Sequence, residues 1–366
     1  IEIELYHAPG ETNDQIFVWL PNHKSLMPGD NVYKTFPNLY TIRGTSHRDV
    51  KGWINSLDHM KTFNPEFLFP SHTKPIIGKD VIQDVLNVYR DAIQYVHDQT
   101  IRLMNEGMYP DEIAEKIQLP DNIANSPYLK EFYGTVRWSV KSIFNGYLGW
   151  FSGNPSELDP LSRAEKAKRI LNLAGDINIL IDDLRNAVDN RDMQWALELS
   201  DYLIALDNFT EEVRNLRIEA LLYEGSRSSN PNKRNYLLTS AFELSEDFVE
   251  PSLLDRTSEE LLEYISMNTL FDVLSTRYDP AMNIDDNISV CFIFSSGLRK
   301  NITLRNQVAV ISNTNLDNCI IKAFSDEIEL KKVLTGLSNP VASITSGNLQ
   351  IEGDSIKFLQ FLSKFR

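Results

Sequence analysis

Three residues near the start of the chain carry oxygen and nitrogen donors in turns beside strand-like runs. Glu11 lies in PGETND, Asp30 in PGDN and His72 in PSHTKP. Side chains in such turns point into clefts because strand ends converge there. Carboxylates and imidazoles are zinc ligands, so the three residues could form part of a metal site. Each residue taken singly also has a structural interpretation, as a turn residue, a helix cap or a buried imidazole, and spacing alone favours that interpretation.

Two arginines could hold an anionic substrate. Arg43 ends the run LYTIRG, and Arg102 lies in HDQTIR on a predicted helix. A guanidinium binds oxyanions through paired hydrogen bonds and stays charged when water is excluded. The structural alternatives are a strand-end charge for Arg43 and a surface ion pair for Arg102. The chain has 51 acidic and 36 basic residues and a formal charge of −15, which disfavours nucleic acid as a partner and requires a local cluster of cations for any anionic substrate.

The spacing of apolar residues predicts how these side chains are positioned. Strand-like runs IFVWLP, LYTIRG and EFLFPSH alternate with turns, and the helical run RDVKGWINSLDHMKTF lies between the last two. This order predicts the end of an α/β domain. A period of 3.6 predicts a helix from Lys79 to Asn105, with Val81, Val85, Tyr89, Ala92 and Val96 on one buried stripe. Helices then dominate to about residue 246, and ALELSDYLIALDN with VRNLRIEALLYEG resembles a tetratricopeptide-type helix pair.

The last third of the chain predicts a separate α+β module. A helix SEELLEYISMNTLFDVLSTRY precedes strands ISVCFIFSS, KNITLRN, QVAVISN and NCIIKAFS, and helices around EIELKKVLTGL and DSIKFLQFLSKF follow. Cys291 and Cys319 have no metal-like spacing, so we expect buried thiols or at most one bridge. No apolar run reaches the length of about 18 residues that a transmembrane helix needs.

A resemblance to a known family adds to these predictions. The order E…GDN…TIRG…SHTKPIIG, followed by YVHDQTIRLMNEG and GYLGWFSGNPSEL, resembles the alkylsulfatase family of the metallo-β-lactamase superfamily over essentially the whole chain. The resemblance implies the C-terminal part of a catalytic αββα domain at 1–78, a helical dimerisation domain at 79–246 and a sterol-carrier-like α+β domain at 247–366. It also implies a homodimeric zinc-dependent hydrolase that releases sulfate from long-chain alkyl sulfates such as dodecyl sulfate.

The same resemblance implies roles for individual residues. Glu11 would bind the first of two zinc ions, Asp30 would bridge them where the family usually has glutamate, and His72 would bind the second. Arg43 and Arg102 would hold the sulfate, and a metal-bound water would be the base or nucleophile. We expect supporting or structural roles for a weaker set of candidates and for the helical His97. That set is Asn31, Tyr40, His47 and Lys74.

One expected motif does not occur in this sequence. The family's His-x-His-x-Asp-His is missing from the 366 residues, and a two-zinc site needs more ligands than the three named above. We therefore expect this chain alone to hydrolyse alkyl sulfates negligibly. The opening IEIELYH resembles the middle of a strand and has no initiator Met, so we expect further sequence upstream.

Two hypotheses for function follow. The chain is part of a zinc-dependent alkylsulfatase, or it is a non-catalytic dimeric scaffold that binds alkyl chains. An in-frame His-x-His-x-Asp-His upstream would support the first hypothesis, and a natural start codon at this point would support the second. A metallo-β-lactamase-type hydrolase that acts on phosphoesters or RNA is disfavoured by the acidic charge and by GYLGWFSGNP. Bacterial members of the family are commonly periplasmic or secreted, but no targeting segment is visible in this chain, so the compartment stays open.

Overall fold

The chain divides into two units, residues 1–248 and 249–366. The computed structural model describes residues 1–250, 259–280, 288–313 and 319–365. The predicted parts 1–78 and 79–246 both lie in the first unit. There one apolar core runs from Ala8 to Phe144 and so crosses the boundary predicted at residue 78.

The first unit begins with a five-stranded sheet whose strands follow the order β1-β2-β3-β4-β5. The strands are β1 (Glu4–His7), β2 (Ile16–Leu20), β3 (Ser25–Met27), β4 (Phe67–Leu68) and β5 (Ile76–Ile77). Neighbours are antiparallel except β3 and β4, which are parallel. The run IFVWLP forms β2 as predicted, whereas EFLFPSH contributes only the two residues of β4.

The strand predicted at LYTIRG is wrong. Residues 39–44 form turns, and the Gly44 N–H donates to the Thr41 carbonyl over 3.2 Å. Leu39 and Thr41 are buried while Tyr40 and Arg43 are exposed. The apolar run in LYTIRG is what predicted a strand. Such a run indicates only which side chains can face the core, however, and a strand also needs a neighbour for its backbone hydrogen bonds.

Two helices cover the sheet, and both lie close to their predicted positions. Helix α1 (Val50–Thr62) begins where the Asp49 side chain accepts a hydrogen bond from the Gly52 N–H, an N-cap arrangement. Helix α2 spans Lys79–Asn105 as predicted. The predicted stripe on α2 is buried except for Val81, which is 52% exposed in the first turn.

The rest of the first unit is helical. The helices are α3 (Pro110–Lys116), α4 (Asp121–Ala124), α5 (Val136–Leu148), α6 (Arg163–Ala174), α7 (Ile177–Asp189), α8 (Met193–Ala205), α9 (Glu211–Arg227) and α10 (Pro231–Glu243). Helix α5 packs on α2 and α3 and shares their core, whereas α7, α8 and α9 enclose an apolar cluster of their own. The likeness of these helices to tetratricopeptide repeats stays a prediction.

The second unit is the predicted α+β module. Its elements are α11 (Glu259–Tyr264), α12 (Met267–Thr276), β6 (Ile288–Phe294), β7 (Arg299–Arg305), β8 (Val308–Ser312), β9 (Ile321–Ser325), α13 (Glu327–Thr335), α14 (Pro340–Ser346), β10 (Leu349–Glu352) and α15 (Ser355–Leu362). The sheet order is β10-β9-β6-β7-β8. The single helix predicted before the strands is two helices, because the Ser266 side chain accepts from the Thr269 N–H and starts α12. The elements α14 and β10 were not predicted.

Two further findings concern the cysteines and membrane spans. Cys291 and Cys319 form a disulfide, so the second of the two interpretations left open by the sequence is the correct one. Across the described ranges, no helix combines the length and apolar character that crossing a bilayer requires.

Candidate active site

The loop that carries Glu11 is held in place by Asn31. The buried Asn31 side chain accepts from the Glu11 N–H over 3.1 Å and donates to the Ala8 carbonyl over 2.7 Å. The Asn31 carbonyl accepts in turn from Trp53 Nε1 of α1 over 3.0 Å. A Cβ on Gly10 would lie only 2.2 Å from Asn31 Oδ1, so this close approach requires glycine. Asn31, one of the weaker candidates, therefore positions the loop.

Glu11 has an unexpected partner, Arg48. Arg48 Nη1 donates to Glu11 Oε1 over 3.0 Å, and both residues are buried. The same guanidinium nitrogen donates to the Asn38 carbonyl. Burial raises the pKa of Glu11, the positive charge of Arg48 opposes this rise, and the neighbouring Asp30 adds to it. Sequence reasoning missed Arg48 because a single arginine before a helix cap carries no local signal of burial.

Asp30 and His72 lie side by side. His72 Nε2 is 3.2 Å from Asp30 Oδ1, and His72 is largely exposed whereas Asp30 is about one third exposed. This contact is an ion-pair distance, and the buried Asp30 Oδ1 has no hydrogen-bond partner in the described part of the chain. A buried carboxylate oxygen without a donor is uncommon in folded proteins, and a water, an ion, strain or a catalytic role accounts for such an oxygen. The structure thus brings Asp30 together with both Glu11 and His72.

The donor types and the orphaned oxygen fit zinc, but the set is incomplete. Within the described ranges, no group of three or more His, Cys, Asp or Glu side chains is arranged to hold a metal ion. Asp30 Oδ1 and His72 Nε2 contact each other at 3.2 Å, whereas Glu11 carries the Arg48 guanidinium as its counter-ion. A metal that used Glu11 would have to share it with Arg48 or displace that contact.

Arg43 lies in the turn at residues 41–44, where it is exposed. Its Nη2 donates to the Tyr133 hydroxyl over 3.2 Å. That hydrogen bond raises the pKa of Arg43, and the negative charge of Glu11 contributes in the same direction. Tyr133, which the sequence analysis did not single out, orients the guanidinium.

Arg102 has partners of its own on helix α2. It occupies the last turn of α2 and is about half exposed. Its Nη1 pairs with Glu106 Oε1 at 2.6 Å, and its Nε donates to Gln99 Oε1 over 2.9 Å. These are the contacts of a surface ion pair with i,i+4 spacing. The assignment of Arg102 to sulfate stays a prediction.

The remaining candidates have varied surroundings. Tyr40 lines a cavity of about 200 Å³ together with Trp138, and Lys74 is exposed. His47 lies against α5, where a Cβ on Gly146 would come within 2.0 Å of the His47 ring. His97 is buried between Asp98, 2.8 Å from Nδ1, and Tyr147, 2.8 Å from Nε2. These contacts are compatible with the structural role expected for His97.

Three family profiles match successive parts of this chain. The profile described as metallo-beta-lactamase superfamily matches residues 1–72, that of alkyl sulfatase dimerisation matches residues 109–247, and that of alkyl sulfatase C-terminal matches residues 255–366. The linear primary-alkylsulfatase of a Pseudomonas species is 33% identical over 377 residues, which cover 100% of this chain and 71% of the relative. The chain belongs to the alkylsulfatase family.

Two other relatives are considerably longer than this chain. The alkyl/aryl-sulfatase BDS1 of Saccharomyces cerevisiae is 27% identical over 98% of this chain and 56% of its own length. The solved structure of the stereoselective inverting sec-alkylsulfatase Pisa1 from Pseudomonas superposes with a TM-score of 0.88 at 25% identity, covering 99% of this chain and 58% of that one. The chain thus spans little more than half the length of these two relatives. Sulfuric ester hydrolysis is the activity of the family.

Proposed function

We propose that this chain carries part of a zinc-dependent alkyl sulfate ester hydrolase, which releases inorganic sulfate from fatty alkyl sulfates such as dodecyl sulfate. The observation that supports this proposal is the orphaned Asp30 Oδ1, which is buried, lies 3.2 Å from His72 Nε2 and adjoins Glu11. In a chain of the alkylsulfatase family, such an oxygen is where a cation is expected.

Asp30 and His72 would hold the metal, and Glu11 would join them once its contact with Arg48 is shared. Zinc, when bound, supplies Lewis-acid activation of water. Arg43 has a different task. Its exposed guanidinium, oriented by Tyr133, binds the sulfate head of the ester and compensates its charge as the C–O or S–O bond breaks.

Zinc titration of the 366-residue chain tests the metal assignment. We expect Asp30→Asn and His72→Ala each to weaken zinc binding by at least about tenfold, because each removes a donor atom from the ion. Arg43→Lys is the matched control and should leave zinc affinity unchanged. Equal zinc affinity in all four proteins would contradict the assignment. Hydrolysis of dodecyl sulfate by this chain should be negligible, since the sequence lacks the His-x-His-x-Asp-His motif.

One observation favours a second candidate function. The charge of Glu11 is already compensated by Arg48, and the described residues provide no three-ligand cluster. A non-catalytic dimeric scaffold that binds alkyl chains would need no metal. A protein that binds octyl sulfate with a defined stoichiometry but shows no zinc dependence in that binding would support the scaffold.

A further inference from the structure

Arg48 contacts the candidate metal site without being one of its expected ligands. Its guanidinium is buried, and Nη1 donates both to Glu11 Oε1 over 3.0 Å and to the Asn38 carbonyl. The Asn38 N–H donates in turn to the buried Tyr33 hydroxyl over 2.9 Å. Arg48 also comes directly before Asp49, which caps helix α1. Arg48 is therefore held from both sides and cannot leave Glu11 without breaking buried contacts.

The Glu11 carboxylate is held at one of its two oxygens. Arg48 donates to Oε1, and no hydrogen-bond donor among the described residues reaches Oε2. The Glu11 backbone is anchored independently, because its N–H donates to the Asn31 side chain over 3.1 Å. The carboxyl group of Asp30 lies beside that of Glu11. Two neighbouring carboxylates disfavour each other's charge unless a cation compensates them, so Oε2 is the Glu11 atom that remains for such a cation.

The number of oxygens that Glu11 can offer affects which metal ion the site prefers. Calcium takes about six to eight oxygen ligands and often binds both oxygens of a carboxylate. Zinc takes about four ligands and accepts nitrogen as well as oxygen. With Oε1 held by Arg48, Glu11 can bind an ion through one oxygen. A ligand of this kind suits a four-coordinate ion but gives calcium one oxygen fewer.

We propose that Arg48 is a positioning residue, which limits Glu11 to binding through one oxygen and thereby favours zinc over calcium at this site. This inference rests on the proposed function, because it takes Glu11, Asp30 and His72 as the ligands. The choice of metal ion is thus assigned in part to a residue that is not itself a ligand. The imidazole of His72 favours zinc in the same direction, so the contribution of Arg48 is the change in preference when Arg48 alone is altered.

The ratio of zinc affinity to calcium affinity in the 366-residue chain tests this proposal. Isothermal titration with zinc chloride and with calcium chloride gives this ratio for the unmodified chain and for Arg48→Met. Loss of the arginine charge, or a looser fold, changes the affinity for both divalent ions in the same direction and so has little effect on the ratio. Release of Oε1 benefits calcium. We expect the ratio to fall by about tenfold or more in Arg48→Met, because changes to groups that orient metal ligands cost about 10–100-fold in affinity.

Further variants locate the effect at Glu11. The double variant Glu11→Gln/Arg48→Met should have the same ratio as Glu11→Gln alone, because Arg48 acts through Glu11. Arg48→Lys keeps a donor for Oε1 and should retain most of the ratio of the unmodified chain. Arg137→Met, which breaks an exposed pair with Glu115, is the matched control and should leave both affinities unchanged.

A measurement on the unmodified chain covers the case in which Arg48→Met does not fold, which circular dichroism detects. Infrared difference spectra with and without each metal ion are recorded for the unmodified chain and for Glu11→Gln. The two carboxylate stretching bands move apart when a carboxylate binds a metal through one oxygen and move together when it binds through both. We expect the one-oxygen signal for Glu11 with zinc and with calcium, and a two-oxygen signal would overturn the proposal.

The pattern of affinities separates failure of this inference from failure of the proposed function. Equal ratios in the unmodified chain and in a folded Arg48→Met would overturn the inference. Weaker zinc binding in Asp30→Asn and His72→Ala would in that case still support the metal site. Zinc binding that Glu11→Gln, Asp30→Asn and His72→Ala all leave unchanged would contradict the proposed function. Arg48 would then have no ligand to position, and the inference would fail with it.

Discussion

Arg48 Nη1 donates to Glu11 Oε1 over 3.0 Å between two buried side chains. This ion pair joins the loop before β2 to the residue that precedes the cap of α1. Glu11 is also the residue that, by the family resemblance, would bind the first zinc ion. The structural role of the pair is therefore open to direct test by mutation.

Arg48→Met should destabilise the first unit strongly. Removing one partner of a buried ion pair leaves an uncompensated charge, which costs about 3–5 kcal/mol of unfolding free energy. Replacing Glu11 as well, by Gln, should recover part of this loss because the buried charge is gone. The measurement is urea unfolding followed by tryptophan fluorescence. Arg137→Met, which breaks an exposed pair with Glu115, is the control and should cost less than about 1 kcal/mol. If Arg48→Met costs no more unfolding free energy than the control Arg137→Met, the buried pair has little structural importance.

Arg43→Lys and Arg102→Lys should differ in their effect on sulfate affinity. Lysine keeps the charge but loses the paired donors, so Arg43→Lys should weaken binding by roughly 10- to 150-fold. Arg102 is already paired with Glu106 on the surface of α2, so Arg102→Lys should leave the affinity unchanged and alter stability by about 0.5 kcal/mol or less. A comparable loss of affinity in Arg102→Lys would restore the two-arginine clamp that the family resemblance implies.

Asp98→Asn should show a penalty that depends on pH. Burial raises the pKa of Asp98, but hydrogen bonds from His97 and Gln94 outweigh it and lower the pKa below its ordinary value of 3.8. A carboxylate with a lowered pKa in the folded state stabilises the protein above its unfolded pKa, and this contribution is lost as the pH falls through the folded value. The stability difference between the native chain and the variant should therefore shrink as the pH falls from about 5 to about 2. A difference that is constant across this range would contradict the prediction.

Residues 79–246 should form a homodimer, as the match to the alkyl sulfatase dimerisation profile suggests. The structure supports an interface near the end of α5, where Tyr147, Leu148 and Trp150 are exposed by 51%, 58% and 73%. Exposed apolar side chains in a cluster indicate a surface that another molecule covers. Trp150→Asp should shift the sedimentation coefficient towards that of a monomer, whereas Trp195→Asp, at an exposed tryptophan of α8, should not. A native chain that sediments as a monomer at micromolar concentration would exclude this dimer.

Reduction of the Cys291–Cys319 bridge should destabilise only the second unit. The bridge spans 28 residues, and closing a loop of this size contributes about 3–4 kcal/mol in the chain-entropy account. All five tryptophans lie before residue 249, so tryptophan fluorescence reports on the first unit alone. With dithiothreitol, or in Cys291→Ser/Cys319→Ser, far-ultraviolet circular dichroism should show an earlier transition while the fluorescence transition is unchanged. Coincident shifts of both signals would contradict the prediction.

The sequence by itself determined the features that depend on neighbours along the chain. The bounds of α2 and the strands β6 to β9 follow from apolar periodicity and flanking turn residues, both of which are local. The family resemblance likewise rests on contiguous motifs such as GYLGWFSGNP. These signals survive without knowledge of the fold because each is complete within one segment.

Only the tertiary structure decided which side chains meet. The partners of Glu11 come from residues 31 and 48, and a cleft beside Arg43 is completed by Asn232, nearly 190 positions further along the chain. Residues 39–44 carry an apolar run like that of a strand, yet they form turns because no neighbouring strand pairs with their backbone. Pairing, burial of a charge and the loss or gain of a hydrogen-bond partner depend on groups brought together from distant segments, and no local pattern records them.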